Sequence, residues 1–552
     1  MRRNLISTPL QQGVGGDDRG ETVSTVSTEW RKPFKRFSPR TPCFTALKRG
    51  ANERDFEERR SPKFTRIGLR SELAGRVVPL RRRIAVALLA TALLGLAASS
   101  LAAALDEPRA AIAAPNPPAS PEASATEEDE AEWFFNTQQY WDMDHLLPEH
   151  WLKPLSDRGI DYMLMYTSDV LGNVNGGLKR ETAYSGVLEA GVELDTEKLF
   201  GWRGATIYAS GMLAHGRSLS DDRFDELYGI SRYEQDFSVR LYELWLDQSF
   251  CDEAVSLRVG QLALDREFLG TDVGVLFMNS AFGWPTAFEW SMDAATYPVA
   301  APGARLRIDL GRFWFQTAVF TGETESVEGR DEPSNEYGVD FNFGGGLLAI
   351  WEVGYATVTE EVTSRHPGVY KLGGWLHTGD FVDQRYDDEG LSLADPVSNE
   401  NSRILKNNWG LYAVAEQNIW NPSPDMTERG LSLFARVAAV PADRNLISCT
   451  LDAGLHYVGL LPGRPRDVTG VGFSYSRISN RVRDLARDEN LYYYADAPLP
   501  LPDYQAVLEW TYRIEIRPWW YLQPDLQYIM HPGGSSALQD ALVIGLRSTL
   551  SF

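Results

Sequence analysis

Hydrophobic and polar residues alternate with a period of two through most of the chain. The last run places Ile544 and Leu546 on one face of an extended segment, and Gly545 and Arg547 on the other. The same rule holds from Tyr504 to Arg517, where the even positions are apolar and most odd positions are polar. A period of two is typical of β-strands with one apolar face, so we predict an all-β fold.

About sixteen such runs fit between residues 160 and 552, each close to the ten residues that a strand needs to cross a membrane. Soluble β-sandwiches, propellers and solenoids also alternate, but here aromatic residues lie at the ends of the apolar faces and the runs repeat with no fixed period. A closed barrel satisfies every backbone group in lipid, and the terminal Phe552 suits the last strand of a bacterial outer-membrane barrel. We therefore predict a transmembrane antiparallel β-barrel over residues 160–552, with strands starting near 160, 184, 203, 237, 254, 303, 313, 346, 368, 409, 429, 450, 468, 502, 519 and 539.

A targeting signal precedes the predicted barrel. Three arginines, Arg81 to Arg83, are followed by an apolar run over 84–98 and by small residues up to Ala104. These three regions in this order indicate a secretory signal peptide, which we place at 77–104, and an uncleaved membrane anchor is the alternative. Because a signal peptide normally begins just before its arginines, we expect translation to start near Val77 and residues 1–76 not to be translated.

The segment between the signal and the barrel is polar and acidic. Residues 105–132 are rich in Ala, Pro and Glu and have too few apolar side chains to fold, so we predict a disordered tether there. Residues 133–159 are then expected to form a periplasmic N-terminal segment. The net charge of −22 divides into +11 over residues 1–83 and −33 over 84–552. An acidic body of this kind repels polyphosphate, which argues against nucleic acid as a partner.

Sequence motifs for catalysis and for metal binding are missing. The sequence contains no Gly-x-Ser-x-Gly and no His-Glu-x-x-His motif, and its seven histidines are scattered. Its three cysteines include no Cys-x-x-Cys pair. We therefore predict that the protein is not an enzyme and that it holds no metal or other cofactor.

Seven blocks in the barrel region stand out together: Arg240–Phe250, Leu257–Gln261, Phe277–Pro285, Tyr297–Arg305, Leu376–Gly379, Gly459–Pro465 and Gln523–Gly534. In sequence and in order they resemble the carbohydrate-selective porin family (OprB-like) of Gram-negative outer membranes. The resemblance covers about 150 to 552 and does not extend to residues 1–132. It implies a trimeric barrel of 16 strands that admits monosaccharides, glucose most commonly.

The predicted function is therefore an outer-membrane porin through which monosaccharides such as glucose diffuse passively and selectively. Its expected partners are the sugar, outer-membrane lipid and two further copies of the chain. Two alternatives stay open at this point. One is a general diffusion porin without sugar selectivity, and the other is a structural outer-membrane anchor with a plugged barrel.

Charged side chains on three neighbouring runs are candidates for a sugar-binding constriction. Glu243, Trp245 and Asp247 share one face, which we place in the lumen, with Tyr242 and Leu244 on the opposite face. Aromatic rings and charged hydrogen-bonding groups suit the C–H faces and hydroxyl rim of a sugar, and we expect acidic and basic groups on opposite walls. The alternative is a salt-bridged barrel wall. The basic candidates, on polar faces of nearby runs, are Arg258, Arg305 and Arg307.

The stretch 265–303 has few strand signals and many aromatic residues. It is too long for a periplasmic turn, so we expect an extracellular loop that folds into the channel as a constriction. Trp284 and Trp290 are its candidate stacking platforms for a sugar; the alternative is that they only hold the loop against the wall. A general field of charge in the lumen is expected from Glu509, Arg513, Asp525 and Arg547.

Overall fold

The computed structural model describes residues 145–552, apart from 178–179, 221–226, 236, 325–334, 336, 359–363, 365 and 423–428. The segments predicted at 1–76, 77–104 and 105–132 lie outside the described residues, as does most of the first half of 133–159. No helix in the described part of the chain is long and apolar enough to cross a membrane.

Sixteen antiparallel strands in the described residues form one closed barrel. Each strand pairs with the next along the chain, and the last pairs with the first, with Tyr166 opposite Leu550. The predicted barrel of about sixteen strands is confirmed. The strands are β1 Ile160–Asn175, β2 Thr182–Asp195, β3 Ala205–Gly216, β4 Ser238–Phe250, β5 Val255–Leu262, β6 Ala301–Leu310, β7 Phe313–Thr321, β8 Leu347–Ala356, β9 Gly368–Asp387, β10 Ser402–Trp420, β11 Gly430–Ala439, β12 Ile447–Val458, β13 Val468–Ile478, β14 Tyr504–Arg517, β15 Trp520–Met530 and β16 Ala541–Ser551.

One strand start differs clearly from its prediction. β10 was expected to start near 409 and starts at Ser402. Its first residues pair with the end of β9 in a long hairpin, and the register shifts between Ser402 and Ile404 and again between Lys406 and Asn408. At the first shift two residues of β10 oppose five of β9, and at the second two oppose three. The first residues of β10 therefore do not alternate between exposed and buried positions.

The two faces of the strands have opposite character. In β16, Ile544 and Leu546 are exposed on the outside, while Val543 and Arg547 are buried on the inside. Trp510 is exposed in the same way on β14. An apolar exterior with aromatic residues and a polar interior is the pattern of a barrel that faces lipid.

Connections differ at the two ends of the barrel. The described chain starts and ends at one end, where the Leu146 N–H donates to the Ser551 carbonyl (3.1 Å); we call it the turn end. The opposite end, the loop end, carries the connections 217–237 and 263–300. The α-helices within the described residues are α1 Glu149–Ser156, α2 Thr196–Phe200, α3 Leu264–Glu267, α4 Thr286–Glu289 and α5 Asn480–Tyr493.

Candidate functional site

The connection between β5 and β6, residues 263–300, folds into the barrel, as the sequence predicted; we call it the constriction loop. Backbone N–H groups of a loop need acceptors once they leave water, and here glutamates on the inner wall supply them. Three distant strands contribute one glutamate each, so the loop runs along much of the inner wall. The contacts are Leu269 N–H to Glu352 on β8 (3.1 Å), Val273 N–H to Glu416 on β10 (2.9 Å) and Met278 N–H to Glu509 on β14 (2.6 Å).

Arg436 on β11 holds the middle of the constriction loop. Its guanidinium donates to the Ala281 carbonyl (3.0 Å) and the Gly283 carbonyl (2.5 Å). It also pairs with Asp452 on β12 (2.8 Å), and both side chains are about 1% exposed. Asp452 accepts a further hydrogen bond from the Ser474 hydroxyl (2.7 Å). The ion pair is therefore buried between the loop and the wall, with its remaining groups satisfied.

Residues 227–235, in the connection between β3 and β4, also lie inside the barrel; we call them the buttress loop. The indole N–H of Trp290 donates to the Leu227 carbonyl (2.6 Å). The Ser231 hydroxyl donates to Asp169 on β1 (2.5 Å), which also binds Arg547 on β16 (2.8 Å). The buttress loop thus joins the constriction loop to the wall at β1 and β16.

A closed ring of ion pairs joins α3 to the barrel wall. Asp247 on β4 and Glu267 on α3 each accept from both Arg258 on β5 and Arg305 on β6. Arg258 lies 2.7 Å from Asp247 and 2.5 Å from Glu267. Arg305 lies 2.9 Å from Asp247 and 3.0 Å from Glu267. Burial alone would raise the pKa of Glu267, but Arg258 and Arg305 outweigh it and hold that pKa below its usual range. Glu267 therefore stays ionised at neutral pH.

Arg266, the residue before Glu267, makes a second set of contacts. Its guanidinium pairs with Glu189 on β2 and lies 3.6 Å from the Glu243 carboxylate on β4. Glu243 also accepts from the Ala263 N–H (3.0 Å), at the start of the constriction loop. Successive charged residues of α3 therefore bind different strands. We call the ring of ion pairs and the contacts of Arg266, taken together, the charged track. Its residues are Glu189, Glu243, Asp247, Arg258, Arg266, Glu267 and Arg305.

The sequence placed Tyr242 on the outer face of β4, and this was wrong. The register between β3 and β4 shifts between Ala209 and Gly211, so two residues of β4 oppose one residue of β3. Because of this bulge, Tyr242 and Glu243 both point inward, and Tyr242 is fully buried with Arg266 over its ring at 5.0 Å.

We had expected the acidic and basic candidates to lie on opposite walls of the lumen, and this was wrong. Asp247 is directly opposite Arg258 in the β4–β5 pair, and Arg258 is opposite Arg305 in the β5–β6 pair. The charges are therefore neighbours on one wall and bind each other. Arg307 lies two residues beyond Arg305 toward the turn end and pairs with Asp309 (2.8 Å).

The three predicted tryptophans have different surroundings. Trp245 lies under the Arg258 guanidinium, 3.7 Å from the ring centre, so one of its faces is covered. Trp284 is buried against Phe288, with ring centres 5.9 Å apart, which favours the packing alternative for this residue. Trp290 is only half-buried and joins the two inward loops through its indole N–H.

Sequence reasoning missed Glu189, Arg266 and Glu267. Most of their partners are distant along the chain, 77 residues for Glu189 and Arg266 and 38 for Glu267 and Arg305, so local spacing does not reveal the set. The Glu267–Arg258 pair, 9 residues apart, is the nearest contact among them. Arg266 and Glu267 also lie in a short helix inside a stretch that we had treated only as an aromatic loop. The one available signal was the inward position of Glu189 on an alternating strand.

Comparisons with known proteins agree on the type of protein that this chain resembles. A family model described as "Carbohydrate-selective porin, OprB family" matches residues 179–552. Porin B of Pseudomonas aeruginosa is 28% identical over 414 residues, which cover 71% of this chain and 87% of that protein. A structure of OprB from Pseudomonas putida at high pH is 25% identical, with a TM-score of 0.65, and the match covers 72% of this chain and 96% of that one.

Proposed function

Because the chain belongs to the OprB family of carbohydrate-selective porins, we propose that it lets monosaccharides such as glucose diffuse passively across the outer membrane. The protein is an outer-membrane barrel of Gram-negative type, whose longer loops face the outside and whose shorter turns face the periplasm. On this proposal it performs no catalysis. The homotrimer and the cleaved signal peptide stay predictions.

The observation that carries the proposal is the charged track at the start of the constriction loop. A sugar has no net charge but many hydroxyls, so it is held by side chains that donate and accept hydrogen bonds from fixed positions. The accessible arginines are Arg258 and Arg266 of the charged track and Arg307 beside it. Each has a fifth to a quarter of its side chain exposed. We assign direct contact with the sugar to these three residues.

The buried members of the set have a different role in the proposal. Glu243, Asp247 and Arg305 are almost fully buried and each binds another charged side chain. Trp245 supports the Arg258 guanidinium from below. These four residues position the exposed arginines and keep their charges balanced, so that a sugar is bound weakly enough to leave again. Trp284 is assigned to packing within the constriction loop, and Trp290 to the contact between the constriction loop and the buttress loop.

Liposome swelling tests transport without assuming a binding site. Purified protein in liposomes is expected to admit glucose and other monosaccharides quickly and a disaccharide slowly, because the two inward loops narrow the lumen. Protein-free liposomes are the control. Equal rates for both sugar sizes would favour a general diffusion porin, and no swelling with either would favour a plugged structural anchor.

A further inference from the structure

The helix α5 is fastened to the hairpin of β9 and β10 at the loop end of the barrel. Arg385, near the end of β9, binds Asp488 with two nitrogens (2.9 and 3.1 Å) and Asp484 with a third (3.3 Å). The Ser392 hydroxyl in the hairpin also donates to Asp488 (2.6 Å). α5 follows β13, and β9 lies four strands away around the closed wall. A straight helix that joins two such points lies inside the curve of the wall, so α5 covers part of the outer mouth.

Three arginines surround one tyrosine, Tyr386, where α5 meets the hairpin. The guanidinium carbons of Arg385, Arg403 and Arg481 lie 5.1, 5.6 and 4.8 Å from the centre of its ring. A guanidinium is attracted to an aromatic ring, so the tyrosine gathers arginines from β9, β10 and α5 at one place. Arg403 and Arg481 therefore lie no farther apart than the sum of their two distances to the ring, a span that one sugar with its hydroxyls can bridge.

Two of these arginines have unused donors that solvent can reach. Arg403 and Arg481 make no hydrogen bond or ion pair within the part of the chain that the structure describes. Both side chains are only half-buried, and none of their nitrogens is fully enclosed. Gly390 in the hairpin turn leaves one side of Arg403 clear, because a Cβ there would lie 3.2 Å from Nη2 of the arginine. The two guanidiniums are therefore open to a solute in the outer mouth.

We propose that Arg403 and Arg481 form an outer capture site for a monosaccharide, in which the two guanidiniums donate to different hydroxyls of one sugar. Each guanidinium presents five N–H donors in a fixed plane, and a hydroxyl oxygen accepts from such donors. Tyr386 is a positioning residue, because it acts through the arginines that it holds. This inference rests on the proposed function and deepens it, since none of these residues belongs to the charged track.

The charges around the outer capture site favour a neutral ligand over an anion. The hairpin turn, residues 388–401, contains four carboxylates and no lysine or arginine. Asp484 and Asp488 add two more carboxylates beside Arg385. These groups repel a phosphate or a free carboxylate, whereas a sugar without net charge is not repelled.

The outer capture site lies nearer the outside than the constriction loop does at this part of the wall. Asn408, further along β10 than Arg403, donates to the Ser291 carbonyl of the constriction loop (2.9 Å). Because β10 runs from the loop end toward the turn end, Arg403 precedes that contact on the way in. A sugar from outside is therefore expected to meet Arg403 and Arg481 before Arg258. Two weak sites in series let a solute advance without a deep trap.

The test is saturation-transfer NMR of glucose on the purified protein, in a detergent without a sugar headgroup. Arg258→Ala serves as the background, because it weakens the charged track. In this background, Arg403→Met combined with Arg481→Met is expected to raise the glucose concentration for half-maximal signal about tenfold, the effect of losing a hydrogen bond to a charged donor. Tyr386→Leu is expected to weaken binding, and Tyr386→Phe, which keeps the ring, to restore it.

Arg487→Met is the matched control, because Arg487 carries the same charge on α5 but pairs with Asp484 and is 55% exposed. It is expected to leave the half-maximal concentration unchanged. A loss in Arg487→Met as large as in the double variant would overturn the outer capture site, since the charge of α5 would then explain the effect. An open single channel for each variant shows that its barrel has folded.

Three further results would overturn the outer capture site and leave the proposed function intact. One is an unchanged half-maximal concentration when Arg403 and Arg481 are both replaced. Another is a complete loss of the glucose signal in Arg258→Ala alone. The third is displacement of glucose from Arg258→Ala by inorganic phosphate at constant ionic strength, which would indicate an anion site. Absence of any glucose signal in the wild type would instead contradict the proposed function.

Discussion

Replacing Arg436 with methionine is expected to destabilise the barrel by about 3–5 kcal/mol, the usual cost of removing one partner of a buried ion pair. The Asp452 carboxylate stays behind with its side chain about 1% exposed and keeps only the Ser474 hydroxyl as a hydrogen-bond donor among the contacts described above. The carbonyls of Ala281 and Gly283 also lose their donor, so the constriction loop is expected to detach there. Urea unfolding in detergent measures the first effect, and an increase in single-channel conductance measures the second.

Lys406→Met is the matched control for Arg436→Met. Lys406 pairs with Asp380 (2.6 Å) on the neighbouring strand, but both side chains are mostly exposed. A surface pair of this kind contributes at most about 1 kcal/mol, so little change is expected. Adding Asp452→Asn to Arg436→Met is expected to recover part of the stability, because no buried charge is then left alone. If Arg436→Met lowers the free energy of unfolding by less than about 1 kcal/mol, the stabilising role assigned to this buried ion pair is wrong.

Replacing Arg258 with alanine is expected to raise the glucose concentration for half-block about tenfold or more, the effect of losing a hydrogen bond to a charged donor. Arg258 joins Asp247 to Glu267 and is one of the exposed members of the charged track. Conductance is expected to persist, since the constriction loop keeps its bonds to Glu352, Glu416 and Glu509. Single-channel recording with a glucose titration measures both quantities.

Arg312→Ala is the control for Arg258→Ala. Arg312 carries the same charge on an exposed position in the β6–β7 turn, outside the charged track. It is expected to leave the block unchanged. Trp245→Ala is expected to have a smaller effect than Arg258→Ala, because Trp245 acts through the guanidinium that covers it. Unchanged block in both Arg258→Ala and Trp245→Ala would remove these residues from the site.

The barrel could be predicted from the sequence because each strand shows its pattern locally. Alternation in β16 or β14 depends only on which side chains face lipid, and one strand is enough to see it. The prediction failed where a bulge or a register shift interrupts a strand, because the alternation pattern does not show such interruptions. The bulge that turns Tyr242 inward adds one residue to β4, and a single added residue exchanges the two faces of a strand. At the start of β10, the register shifts leave extra residues on the partner strand β9.

The sequence predicted several residues of the candidate site but not the ion pairs that join them. Asp247, Arg258 and Arg305 are on inward faces of successive strands, so their proximity follows from the order of the strands. Arg266 and Glu267 lie in the constriction loop, and their places depend on how that loop packs inside the barrel. Periodicity does not describe that packing, and the pairings involved join residues far apart in the sequence.

The most direct test of the account is the conductance of single channels of the purified wild-type protein in a planar bilayer, while glucose is titrated. We expect an open channel whose current falls saturably as glucose rises, with other monosaccharides acting similarly and a disaccharide acting weakly. A steady open current at every glucose concentration would contradict a sugar site in the lumen. A complete lack of conductance would contradict the proposal that the protein is a porin.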